Sequence, residues 1–144
     1  MKWLLAAILF CALFVVAMGF AHQRALERAA VYNARVRDLQ ALTGVCFAST
    51  NIHSTADLLA RARQLKVALA SPIAADPSKP CYVLVNAVDF SSTSAIPLIP
   101  GMILIAETNT TDTNTILVST MDRSVQALPY DSKEYWKPLV PRGN

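Results

Sequence analysis

The sequence predicts an α+β protein in which the helices come first and the sheet second. Three observations carry that expectation. A run of 19 residues, Trp3 to Ala21, is uncharged and almost entirely apolar. An apolar stripe at helical spacing continues from it through residue 39. Beyond residue 80, short β-branched and aromatic runs follow one another, with no helical pattern between the last three.

The first element is the apolar run. About 20 apolar residues of helix span the hydrocarbon core of a bilayer, so the run places the chain at a membrane. It reads in two ways. As a cleaved signal peptide, it has Lys2 as its basic start and the small residues of Gly19-Phe20-Ala21 at the positions a signal peptidase inspects. As an uncleaved anchor, it exceeds the roughly 7–15 apolar residues of a signal peptide. Periodicity favours the anchor. Residues 22–30 contain no Gly or Pro, and Ala25, Ala29, Tyr32, Val36 and Leu39 recur at alternating spacings of four and three. These five form a helix-packing stripe whose phase extends back through His22, Met18, Val15, Cys11 and Ile8. Arg24, Arg28 and Arg35 fall off the stripe and are expected in solvent, and Thr43-Gly44 supplies a stop. The expected organisation is an anchor or signal peptide at 1–21, an amphipathic continuation of the helix at 22–43, a small extracytoplasmic α+β domain at 44–136, and a tail at 137–144.

Ser54 opens the second helix with a capping pattern, its hydroxyl three residues before Asp57. Leu58, Leu59, Ala62, Leu65 and Leu69 form its apolar face, and Ser71-Pro72 ends it. Three prolines between residues 72 and 80 mark a loop. Strands are expected at 81–85, 102–107, 115–120 and 125–128, forming an antiparallel meander. The Thr-rich segment 108–114 reads as a polar hairpin connection, with an exposed binding loop as the alternative, and its Asn109-Thr110-Thr111 matches a glycosylation acceptor. Tyr130, Tyr135 and Trp136 are placed to close the sheet edge or to meet a partner.

Net charge is +3, and the basic residues are dispersed. A nucleic-acid binder concentrates them on one face, so no nucleic acid is expected as a partner. Of three cysteines, Cys11 lies in the apolar run. Cys46 and Cys81 are disulfide candidates if the domain occupies an oxidising compartment, closing a loop worth about 3–4 kcal/mol, and otherwise two buried thiols. Orientation draws on opposing signals. Arg24, Arg28, Arg35 and Arg37 follow the span and only Lys2 precedes it, which by the positive-inside rule favours a cytoplasmic domain. The signal-like start, the cysteine pair and the weakly charged Thr/Asn-rich region favour the outside. The expectation is a single-pass protein of the cytoplasmic membrane with its C-terminal domain extracytoplasmic.

No chemical constellation stands out. Cys46, His53 and Cys81, at spacings of 7 and 28, lack the close pair and fourth ligand of a structural zinc site. Cys46 and His53 lack an orienting third residue for nucleophilic catalysis. The acids show no paired spacing, and Glu107 is expected to face Arg123 across a hairpin. With four glycines in the chain there is no Gly-rich phosphate loop. The expectation is a protein with no catalytic residues, no metal and no cofactor.

The stretch from Asp76-Pro77-Ser78-Lys79-Pro80-Cys81-Tyr82-Val83-Leu84-Val85, through Ile103-Leu104-Ile105-Ala106-Glu107, to residues 115–129 resembles the C-terminal region of pseudopilin-like bacterial proteins. Those carry a His, nine residues and then Asp-Gly. Asp122 aligns with the signature Asp, while Asp112 stands at the His position and Arg123 at the Gly position. The resemblance covers residues 76–136. The long helix before a small sheet is also similar to the type IV pilin architecture, although a prepilin begins with a short basic leader ending in Gly and here the apolar run begins at Trp3. The resemblance implies a structural or interaction protein, a pilin-like or pseudopilin-like subunit of an envelope or fibre-type assembly. Its implied partners are membrane lipid and other subunits, or further copies, met through the N-terminal helix. A secreted binding domain with a cleaved leader is the alternative, and an enzyme of unrecognised type the remoter one. Leu139-Val140-Pro141-Arg142-Gly143 resembles a thrombin site of the kind added in cloning, so the tail is read as either native or a remnant.

Overall fold

The computed structural model describes residues 2–49, 52–86 and 101–130. It has the expected α+β order. Helix α1 spans Lys2–Ala48 and α2 spans Thr55–Gln64. Four strands follow: β1 (Tyr82–Leu84), β2 (Ile103–Glu107), β3 (Thr115–Thr120) and β4 (Val125–Pro129). Residues 1–33 and 34–144 form two units, and α1 contributes to both.

In the first unit every described side chain from Trp3 to Ala30 is exposed. In the second, the last third of α1 buries Leu39, Leu42, Val45 and Cys46, a period of three and four that gives one face. The helix does not stop at Thr43-Gly44. Thr43 turns its hydroxyl back to the Leu39 carbonyl at 2.8 Å, and burial of Val45 and Cys46 offsets the roughly 1 kcal/mol that Gly44 costs within a helix.

Helix α2 starts as its capping pattern predicts. The Asp57 N–H donates to Ser54 Oγ at 3.2 Å, and the Asp57 carboxylate accepts from the Ser54 hydroxyl at 2.7 Å and the His53 N–H at 3.3 Å. It ends at Gln64, well before Ser71-Pro72. Lys66 adopts a left-handed φ of 56° and donates to Arg63 O, while Val67 donates to Ala62 O. That is a Schellman motif with lysine where glycine is usual. Leu58, Leu59 and Ala62 are buried as expected, but Leu65 is exposed because the helix has already turned away.

The sheet is an antiparallel meander in the order β1-β2-β3-β4. Its register shifts between Ile103 and Ile105, so Leu104 is the extra residue of a bulge. The bulge breaks strict alternation and lets both Leu104 and Ile105 enter the main core. That core joins Leu39, Leu42, Val45 and Cys46 of α1, Leu58 and Ala62 of α2, and Cys81, Tyr82, Leu104, Ile105 and Leu117 of the sheet region. Val85, Ala106 and Val118 form a second, smaller cluster.

Candidate functional site

Two features stand apart from ordinary core packing. The first is the exposed apolar helix of residues 3–21, with Trp3, Phe10 and Val15 among its most open side chains. Soluble surfaces seldom leave so large a continuous apolar patch. By length and composition this helix is able to cross a membrane, as either an anchor or a signal sequence.

The second is a buried ion network between α1 and the sheet. Arg35 is 5% exposed and Glu107 1%. The guanidinium meets the carboxylate side-on: Nη2 donates to Oε2 at 2.6 Å, and Nε lies 3.1 and 3.2 Å from the two oxygens. The remaining lone pairs of Glu107 are occupied by the Ser71 hydroxyl at 3.0 Å and the Leu117 N–H at 3.3 Å. Arg35 Nη1 reaches Asp112 Oδ2 at 3.1 Å. Asp112 in turn accepts from the Asn114 and Thr115 N–H groups and the Thr115 hydroxyl. Burial works against the charge of Arg35, but its bonds and attraction to Glu107 and Asp112 outweigh that, and its pKa rises. Burial likewise opposes the Asp112 charge, yet Thr115, Asn114 and Arg35 hold its carboxyl down at about 2.

Tyr82 is the direct cross-strand neighbour of Glu107. Its hydroxyl is buried and, among the described residues, has no hydrogen-bond partner, and the same holds for that of Ser119. Burial first, and the nearby carboxylates of Glu107 and Asp38 second, push the phenol well above its ordinary range.

Beside this network the 108–114 loop acts as a clasp. Asn109, at φ 51°, donates through Nδ2 to Asp76 O at 2.8 Å and accepts the Asp76 N–H at 3.1 Å. Ala74 bridges Thr110. Asn109 thus closes the proline-rich loop onto the sheet, and its amide is engaged by that loop where a glycan acceptor would need it open. The segment is the polar β2–β3 connection that the sequence suggests, and it also ties the proline-rich loop to the sheet.

Several expectations change. The helical pattern puts Arg35 in solvent, but the fold buries it, because Glu107 and Asp112 supply its counter-charges. Glu107 pairs with Arg35 and not with Arg123, whose guanidinium lies 4.5 Å above the Phe47 ring. Cys46 and Cys81 are both buried and both free. Cys46 is eleven residues past Arg35, about 16 Å of helix, and its neighbour Phe47 sits at the β3–β4 turn through Arg123. Cys81 lies at the other end of the sheet, next to the Tyr82–Glu107 pair. A disulfide needs Cα atoms within about 7 Å. Burial pushes the Cys46 thiol up to about 12.

Of the predicted stripe, Leu39 is buried and Val36 half-buried in the second unit, while Ala25, Ala29 and Tyr32 are exposed in the first. Among the described residues no cluster of His, Cys, Asp and Glu is arranged to hold a metal. Tyr130 is exposed at the end of β4. Tyr135, Trp136 and the 137–144 tail lie outside the described residues.

The class these features define is an α+β domain carrying one apolar helix long enough to span a bilayer. Comparison of the chain with protein-family models, curated proteins and solved structures finds no match.

Proposed function

We propose that this chain is a single-pass, membrane-anchored structural or interaction protein. In this reading it is a pilin-like or pseudopilin-like subunit of an envelope assembly, with its α+β domain outside the cytoplasmic membrane and no catalytic role. The observation that carries the reading is the exposure of every described side chain of the apolar run, on a helix that continues beyond it. Such a surface is stable only in lipid or against another apolar surface.

A second observation supports the pseudopilin-like resemblance. Arg123 occupies the position where the resembled signature has Gly, and its φ is 67°, a left-handed conformation that glycine adopts without steric cost. Asp122, at the signature Asp, holds that same turn by accepting from the Thr120 hydroxyl and the Ser124 N–H. The resembled Asp-Gly pair therefore has a physical reason in this fold: an acceptor followed by a left-handed residue.

The test has two parts. Intact mass of the protein extracted from its native membranes is expected to include residues 1–21. A photo-crosslinking residue at Tyr32, exposed beyond the apolar run, is expected to capture a further copy or another membrane-anchored subunit. A mass lacking residues 1–21 in a soluble protein would overturn the anchored reading in favour of a secreted binding domain. A full-length protein captured by lipid alone would overturn the assembly role.

A further inference from the structure

We infer that Arg24 and Arg28 together form a binding site for anionic lipid headgroups at the end of the apolar run, an inference that rests on the anchored reading above. The argument begins with position. Arg24 and Arg28 follow Ala21 by three and seven residues of uninterrupted helix, about 4.5 and 10.5 Å along the axis. The headgroup layer on each side of a bilayer is about 5–8 Å thick beyond the hydrocarbon. Helical side chains lean toward the helix N-terminus, which here is the direction of the membrane. Long arginine side chains at these two positions therefore reach the plane of the phosphates.

Charge is the second observation. The two arginines are four apart and share one face of the helix. Both are exposed, and among the described residues neither forms an ion pair. Glu27, the one acid in that part of the helix, instead accepts from the Gln23 amide at 3.3 Å. The two later arginines of α1 show the contrast: Arg35 has two carboxylates of its own chain, and Arg37 lies 3.5 Å from that of Asp38. Arg24 and Arg28 have none, and the planar fork of arginine suits phosphate oxygens.

The test uses the full chain reconstituted in phosphatidylcholine vesicles, with spin-labelled phosphatidylglycerol or spin-labelled phosphatidylcholine as probe. Lipid touching the helix gives an immobilised spectral component. The wild type is expected to favour phosphatidylglycerol about fivefold, the effect of one net arginine near the surface, with the preference falling as salt is added. The R24Q/R28Q variant is expected to bring the ratio near one, and E27Q to raise it. Equal ratios for wild type and R24Q/R28Q, with immobilised lipid present in both, would overturn this inference and leave the anchored reading standing. No immobilised component with either probe would overturn the anchored reading, and this inference with it.

Discussion

Arg35 and Glu107 are 72 residues apart in the chain, and Arg35 Nη2 lies 2.6 Å from Glu107 Oε2 inside the domain. The contact joins the first helix to the second strand where both side chains are buried. Removing one member of such a pair strands the other. R35M is expected to destabilise the domain by about 3–5 kcal/mol, and E107Q by a similar order. The R35M/E107L double variant is expected to lose much less than the sum, because both charges leave together. Chemical denaturation of the full chain in detergent micelles, with all variants in one cycle, measures the coupling. Additive losses would mean the two residues act independently.

Asp112 makes stability depend on acid. Its folded pKa of about 2 lies below the ordinary 3.8. A depressed carboxylate contributes stability that is fully present above the unfolded value and lost as pH falls through the folded one. The loss therefore falls between about pH 4 and pH 2. Asp57, Asp76 and Asp122 are also held below their ordinary values, by serine or threonine hydroxyls in each case. The difference between wild type and D112N isolates the Asp112 share. D112N is expected to cost about 1–3 kcal/mol near neutral pH and to converge with wild type near pH 2.

The unpartnered hydroxyl of Tyr82 gives a prediction of opposite sign. Tyr82 is buried against the core, and its oxygen has no partner among the described residues. Y82F removes the oxygen and keeps the ring. It is expected to be neutral or to stabilise by up to about 1 kcal/mol, where truncating a satisfied tyrosine would destabilise. A clear loss of thermal stability would mean that the hydroxyl has a partner in solution, such as a buried water.

The two central strands were legible because they carry runs rich in β-branched residues beside polar turns, as in Thr115-Ile116-Leu117-Val118, and the edge strands because short apolar or aromatic stretches follow a proline or a turn. The start of α2 was legible because its cap is local: Ser54 and Asp57 meet within one turn. The ion network was not. Arg35 sits off the apolar stripe and reads as a solvated residue, and its burial depends on Glu107 and Asp112, which no local pattern connects to it. The end of α2 was missed for another reason. Its Schellman turn uses Lys66, which carries no glycine signal. The Leu104 bulge was hidden because a strand of continuous apolar residues looks the same with or without a register shift.

Lys66 offers a stabilising substitution. A non-glycine residue at a left-handed helix terminus carries a steric cost that glycine lacks. K66G is expected to stabilise the domain by about 0.5–1 kcal/mol, read as a rise in the denaturation midpoint with unchanged slope. A decrease would show that the lysine side chain holds an interaction worth more than the strain.

The free thiols make a chemical prediction. Cys46 and Cys81 are buried and unbonded, and the thiolate is the reactive form. In the folded protein both are expected to resist alkylation over the time in which an exposed model thiol reacts completely. In denaturant without reductant, three alkyl adducts per chain are expected by intact mass. One adduct, on Cys11 alone, would show that Cys46 and Cys81 are oxidised.

Among the described residues the first buried side chain in the chain is that of Arg35. Among the described residues, no part of the domain core is drawn from residues 22–34, which follow Ala21. A peptidase cutting after the apolar run would therefore take nothing that the domain needs to fold. Whether the molecule stays tethered or diffuses away is then a matter of delivery, decided at one peptide bond, and the folded domain is indifferent to the outcome.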